Sequence, residues 1–226
     1  MNIILNIDTA GSRAQVSLAK EGIVLGGLSS VSQKDHAGFL QPAISSLLQQ
    51  QGLTVQQLAA VAVSAGPGSY TGLRVGMASA KGLCYALNIP LINISTLEIM
   101  AAGMQLPEEA NNGNRLLCPM IDARRMEVFT ALYTPALELI IPAAALLLEP
   151  DSFGNYLTDH TMYFSGSGAA KWEAVCRHEN ARFIPADNSP GPMATLSFKR
   201  YQSGSFTQLV DSEPIYVKEV YTTKTL

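Results

Sequence analysis

Charge is scarce in this chain: 15% of its 226 residues are Asp, Glu, Lys or Arg, and neither sign prevails, with 15 basic against 18 acidic residues and a net charge of −3. Without a basic excess, tight nucleic-acid binding by the chain alone is excluded as its main activity. The adjacent pairs Arg124-Arg125 and Lys199-Arg200 read as ordinary solvated surface. Histidine occurs only at 36, 160 and 178, too dispersed for a local metal motif. Cysteine is as rare. Cys84, Cys118 and Cys176 are an odd number without metal-like spacing, which excludes a disulfide framework and points to buried, reduced thiols in a reducing compartment. No apolar run is long enough to span a bilayer, since Leu139 to Leu148 is short and broken by Pro142. The first residues reach Asp8 too soon for a signal peptide, so the expected setting is cytoplasmic, with no membrane contact. Low-complexity segments are missing too.

What the chain does have is 47% hydrophobic residues, enough for an ample core, and one conspicuous loop. An apolar run from Leu58 to Ala65 leads into Gly66-Pro-Gly68-Ser69-Tyr-Thr71-Gly72-Leu73-Arg74-Val75-Gly76, and a small-residue helix follows from Leu73 to Leu87. The pattern reads as strand, tight turn and helix, with Ser69 or Thr71 as cap. Two readings stand side by side: an anion site at the helix N-terminus, or a turn that lets a helix pack close to a sheet.

Around this loop the periodicities place strands at Ile3–Ile7, Ala14–Ala19 and Ile23–Val31. A helix follows, with Ser32 and Asp35 at capping-box spacing and His36, Phe39, Leu40, Ala43, Ile44, Leu47 and Leu48 forming one stripe, interrupted by Pro42. After the small-residue helix come a strand at Leu91–Ile94 and a helix at Thr96–Met104 capped by Ser95. Residues 105–114 are polar with Pro and Gly and read as a linker between halves at 1–104 and 115–226. The second half repeats the layout of the first. A strand at Leu116–Ile121 ends at Asp122 as Ile3–Ile7 ends at Asp8, and strands at Glu127–Tyr133 and Leu137–Leu148 answer. Tyr163–Ser165 then runs into Gly166-Ser167-Gly168, with helices at Ala169–His178 and Met193–Ser203 and an extended tail at Pro214–Val217. A duplicated α/β domain of mixed sheets is the economical account.

Two strand-Asp-turn-strand halves, each followed by a Gly-rich turn opening a helix, resemble the actin-like and sugar-kinase-like (RNase H-like) superfamily. Ile7-Asp8-Thr9-Ala10, His36-x-x-x-Leu40-x-Pro42, Gly66 to Gly76, Ser95-Thr-Leu-Glu98, Asp122-Ala-Arg-Arg125-x-Glu127-Val128 and Pro214-x-Tyr-Val-Lys218 occur in that order and are similar to the motifs of the TsaB (YeaZ) family. That resemblance implies a non-catalytic subunit in threonylcarbamoylation of the tRNA adenosine beside the anticodon (t6A). Its partner would be TsaD, which transfers the group to tRNA, with the ATPase TsaE joining through the complex, tRNA met only there, and pairing of the chain with itself when alone.

Against the metal pair His-x-x-x-His of TsaD, this sequence sets Thr96 and Met100, neither suited to a hard or borderline cation, so no metal and no catalytic residue is expected. For phosphate, Asp8 is followed by a partly permissive Thr-Ala-Gly, whereas Asp122 is followed by Ala-Arg124-Arg125, whose side chains crowd a backbone cradle. No cofactor is expected. Arginine can itself grip phosphate, so weak nucleotide or anion binding stays open at Asp8, Gly66, Gly68, Ser69, Asp122, Arg124, Gly166 and Gly168. The competing reading is an ATP-dependent phosphotransferase acting through Asp8 and Asp122. The partner surface implied by the family lies on the helices His36–Leu48 and Leu73–Leu87, at His36, Phe39, Leu40, Leu47, Gly72, Arg74, Val75, Gly76, Ser79 and Leu83, meeting two helices of a relative in a four-helix packing.

Overall fold

A computed structural model describes residues 2–30, 36–107 and 114–218. The expected cap at Ser32 and Asp35, the side chain of His36 and most of the expected linker lie outside the described residues. Two five-stranded sheets are present. In the first, β1 (Ile3–Asp8), β2 (Ala14–Lys20), β3 (Ile23–Ser30), β4 (Leu58–Gly66) and β5 (Leu91–Ser95) take the order β3-β2-β1-β4-β5. β1 to β3 are antiparallel neighbours, while β4 runs parallel to both β1 and β5. The second sheet comprises β6 (Arg115–Asp122), β7 (Glu127–Tyr133), β8 (Leu139–Leu147), β9 (Thr161–Ser165) and β10 (Ala181–Phe183), in the order β10-β9-β6-β7-β8. Its pairings repeat those of the first: antiparallel from β6 through β8, parallel from β6 through β9 to β10. The duplication read from the two Asp-terminated strands is therefore present in the sheet topology itself.

The central strands explain why the sheets form. β1 and β4 are near-continuous runs of Ile, Leu, Val and Ala buried on both faces, as central strands flanked by helices must be. Edge strand β3 alternates between exposed and half-buried residues. One face of the first sheet is covered by α1 (His36–Gln50) and α2 (Tyr70–Leu87), whose Leu40, Ile44, Leu47, Met77, Ala80 and Cys84 interlock with Leu5, Ile7, Val16 and Val63. Its other face is covered by α3 (Thr96–Ala102) and by α6 (Gly191–Gln202), which returns from the end of the chain to set Met193 and Leu196 on Ile4, Ala62 and Ile94. Helix α3 also packs on the second sheet, where Leu97 and Ala101 meet Leu117, Ala131 and Tyr163, so it is the wedge between the halves. Among the described residues the outer face of the second sheet carries only the helices α4 (Gly154–Leu157) and α5 (Ala169–Glu173), pinned by Trp172 among Phe153, Phe164 and Phe183.

Several elements depart from expectation for local reasons. Helix α1 continues through Pro42, which sits on its exposed side. Helix α2 starts three residues before the expected Leu73, because Ser69 takes the cap and accepts the Gly72 N–H at 3.3 Å. Helix α3 ends at Ala102 rather than Met104, with the Gly103 N–H shared between carbonyls of the last turn. Helix α5 stops at Glu173 rather than His178, since the Val175 and Cys176 N–H groups both turn back onto the Trp172 carbonyl. The tail at Pro214–Val217 forms no regular strand, though the Ile215 N–H bonds the Ala65 carbonyl at 2.6 Å.

Candidate functional site

The glycine loop is built for close approach of backbones. A side chain at Gly68 would place Cβ 2.4 Å from the Ala10 carbonyl oxygen, and that oxygen accepts the Ser69 N–H at 2.7 Å. Gly66 has φ +113°, and its missing Cβ would lie 2.6 Å from the Ile215 carbonyl. About two turns into α2, a Cβ at Gly76 would clash with Thr9 Oγ1, where the Thr9 hydroxyl donates to the Gly72 carbonyl at 2.7 Å. The loop thus fastens the turn after β1 to α2. Its Ser69 and Gly72 N–H groups are spent within the protein, and none of Gly66, Gly68 and Ser69 lines the cleft between the halves.

A cleft of about 450 Å³ does lie between the halves, floored by Asp8, Thr96, Ile99 and Met100 and walled by Arg13, Ile121, Ser167, Asp187 and Met193. Burial pushes the Asp8 carboxyl above the ordinary carboxylate range, against the opposing effect of the Ser64 hydroxyl and the Ala10 N–H at 3.1 Å. Thr96 and Met100 face this space one helical turn apart, a hydroxyl and a thioether where two imidazoles would be needed to hold a metal. Among the described residues no group of three His, Cys, Asp or Glu side chains is placed to bind a metal ion.

The second carboxylate turn is closed. Asp122 is exposed, ion-paired with Lys171, and accepts the Arg124 N–H at 2.6 Å; the same Lys171 Nζ donates to the Arg125 carbonyl at 2.6 Å. Lys171 and the Arg124 amide hold the Asp122 carboxyl below its usual range. Arg124 and Arg125 both take left-handed backbone conformations, at φ 73° and 50°, and the Glu127 N–H closes the turn on the Arg124 carbonyl. Neither Asp122 nor Arg124 lines the cleft that holds Asp8. Gly166 does line it, and both Gly166 and Gly168 are pressed against the Met120 backbone or side chain.

The residues read as a partner surface divide sharply. Leu40, Leu47, Gly72 and Gly76 are buried within the first half and present nothing outward. Phe39, Val75, Ser79 and Leu83 are half-buried, and Arg74 is exposed. The exposed face of α2 also carries Tyr70, Ala78, Gly82 and Tyr85, the last 83% exposed. Beside it lie Val210, Ile215 and Tyr216 of the C-terminal segment, which Lys81 ties down through the Val210 and Ser212 carbonyls at 3.2 and 2.9 Å. Tyr70 and Tyr216 stand outside the partner surface read from the sequence; the Gly66–Gly76 and Pro214-x-Tyr-Val-Lys218 motifs carry them, and the fold brings the two rings together.

Comparison with known proteins agrees with this architecture. The family model described as TsaD, tRNA N6-adenosine threonylcarbamoyltransferase, matches residues 16–176. The chain is 35% identical over 148 residues to the tRNA threonylcarbamoyladenosine biosynthesis protein TsaB of Bacillus subtilis, a match covering 64% of this chain and 62% of that protein. It is 27% identical to TsaB of Escherichia coli over 95% of this chain and 94% of that one. Among solved structures, an uncharacterized protein with similarity to peptidase YEAZ, from Pseudomonas aeruginosa, superposes with a TM-score of 0.75 at 24% identity, covering 96% of this chain and all of that one. An inorganic polyphosphate/ATP-glucomannokinase from Arthrobacter, at TM-score 0.50 and 12% identity over 89% of this chain and all of that one, shares the sugar-kinase-like fold. On its sequence relatives and the matched family model, the chain belongs to the TsaB (YeaZ) family.

Proposed function

We propose that this chain serves t6A biosynthesis as a non-catalytic subunit that pairs with a TsaD-type transferase. It meets tRNA, and TsaE, only within that complex. It carries no cofactor of its own, binds nucleotide weakly at best, and pairs with itself when the partner is absent. The observation that carries this reading is the closed second turn: Asp122 is paired with Lys171 and does not line the cleft that holds Asp8. A phosphotransferase needs both carboxylates converging on one phosphate and its metal, with open backbone N–H groups between them. Here one carboxylate is spent in an ion pair, and the Ala123, Arg124 and Glu127 N–H groups of its turn are used internally. The names of the relatives supply the pathway, and the helix pair α1 and α2 supplies a long surface poor in charge, as the core of a protein interface requires.

Reconstitution tests this directly. With the TsaD-type protein of the same cell and a source of threonylcarbamoyl-AMP, mass spectrometry of tRNA nucleosides should show t6A only when this chain is added. Full-rate modification without it would refute the subunit role. Micromolar ATP binding by the isolated chain, lost in Asp8→Ala, would refute the non-catalytic reading.

A further inference from the structure

We infer that Tyr70, Arg74 and Tyr216 form a preorganised clamp that presents the Arg74 guanidinium to a carboxylate side chain of the protein partner. The inference rests on the subunit reading above and assigns the contact that gives it selectivity.

Tyr70 and Arg74 stand one turn apart at the start of α2, so their side chains share a face. The guanidinium carbon lies 4.2 Å from the centre of the Tyr70 ring and 5.9 Å from that of Tyr216, and the two rings approach to 5.3 Å. Arg74 Nε donates to the Tyr216 hydroxyl at 2.9 Å. Tyr216 is itself fixed: its neighbour Ile215 bonds the Ala65 carbonyl, Lys81 holds Ser212, and Lys218 pairs with Glu127 of the second half. An arginine held this way has already lost most of its rotamer freedom, so binding does not charge for it again.

What remains free is the planar fork. Among the described residues neither Nη of Arg74 has a hydrogen-bond or ion-pair partner, and nearby Glu213 forms no ion pair with it. A guanidinium with two parallel donors facing outward matches a carboxylate bidentately. The surroundings favour a protein over a nucleic acid. Tyr70, Tyr216 and Ile215 are 42%, 38% and 47% exposed, apolar and aromatic surface of the kind found at interface hot spots. A phosphate backbone wants several cations, yet α1 has none and the other cation of α2, Lys81, is committed to backbone carbonyls. A second copy offers no carboxylate on α1 or α2, and its Glu213 lies beside its own Arg74. The geometry therefore selects a protein partner that brings an acidic side chain to this face.

The test is calorimetric titration of the full chain, wild type and variant, with the TsaD-type protein of the same cell. Arg74→Ala should weaken binding by about 10- to 100-fold, Arg74→Lys should restore little of it because the fork is lost, and Tyr216→Phe should cost about three- to tenfold. Melting temperatures should not change, since Arg74 is exposed. Equal affinity of wild type and Arg74→Ala overturns the clamp while leaving the subunit reading intact. No binding by the wild type overturns both. Full rescue by Arg74→Lys overturns the bidentate fork, and an Arg74-dependent affinity of the isolated chain for tRNA overturns the carboxylate in favour of a phosphate.

Discussion

The two halves repeat one topology yet invest in different things. Where the first sheet is roofed by helices of 15 and 18 residues, the second has helices of four and five. The carboxylates ending their first strands diverge too: Asp8 sits at the floor of a cleft with its pKa raised, Asp122 on the surface with its pKa lowered. The difference teaches that the sheets, not the helices, define this fold. One copy is free to shrink its helices provided an aromatic plug replaces them, while the other keeps long helices and with them an outer face.

If that is so, the plug should matter most. Trp172 is fully buried, with ring contacts at 4.5 to 6.0 Å from Phe164, Phe153 and Phe183, and α5 is too short to hold itself. Trp172→Ala should cost about 3–5 kcal/mol of unfolding free energy in urea titration. A loss below about 1 kcal/mol would show that the second half does not depend on its plug.

Next comes a contrast within α2. Gly76→Leu must push into the Thr9 hydroxyl and break its bond to Gly72, so a loss of about 1–3 kcal/mol is expected, read as a melting temperature lowered by roughly 3–10 °C. This variant damages the fold and reports nothing about a partner. Gly82, on the exposed face with open space around it, should behave oppositely: Gly82→Ala should stabilise by about 0.5–1 kcal/mol through helix propensity alone. Equal effects at the two glycines would mean that α2 does not touch the turn after β1 as described.

The smallest effects separate the two carboxylates by pH. Asp8, raised by burial, favours the folded state when protonated; that contribution is complete below the unfolded pKa of about 4 and is lost as pH rises through the higher folded value. Asp8→Asn should therefore flatten the decline of stability with rising pH above about 4. Asp122, lowered chiefly by Lys171, contributes above about pH 4 and loses its contribution as pH falls through its folded value. Its ion pair is solvent-screened, so Asp122→Asn should cost less than about 1 kcal/mol near neutrality and less still at high salt. Urea midpoints from pH 3 to 8 would show the opposite slopes; parallel profiles would erase the distinction between the turns.

The amino-acid sequence by itself determined the succession of most strands and helices along the chain, the duplication and the position of the glycine loop, but not the order of strands within each sheet. Continuous apolar runs such as Ile3–Ile7 and Leu58–Ala65, each closed by a carboxylate or glycine, encode burial along the chain, and burial along the chain is what periodicity records. Elements too short to show a period, such as β10 and α4, were not legible for the same reason. Only the tertiary structure decided what each motif faces. The stripe Leu40-Leu47 and the glycines at 72 and 76 turn inward, against the chain's own sheet and the turn after β1, because α2 must lie close enough for Thr9 to reach the Gly72 carbonyl. Helix α6 crosses back onto the first sheet, Lys171 reaches Asp122 from 49 residues away, and Tyr216 meets Arg74 across 142. A residue's own pattern of neighbours states whether it is buried; its partner, set by how sheets and helices stack after the chain has turned many times, has no trace in that pattern.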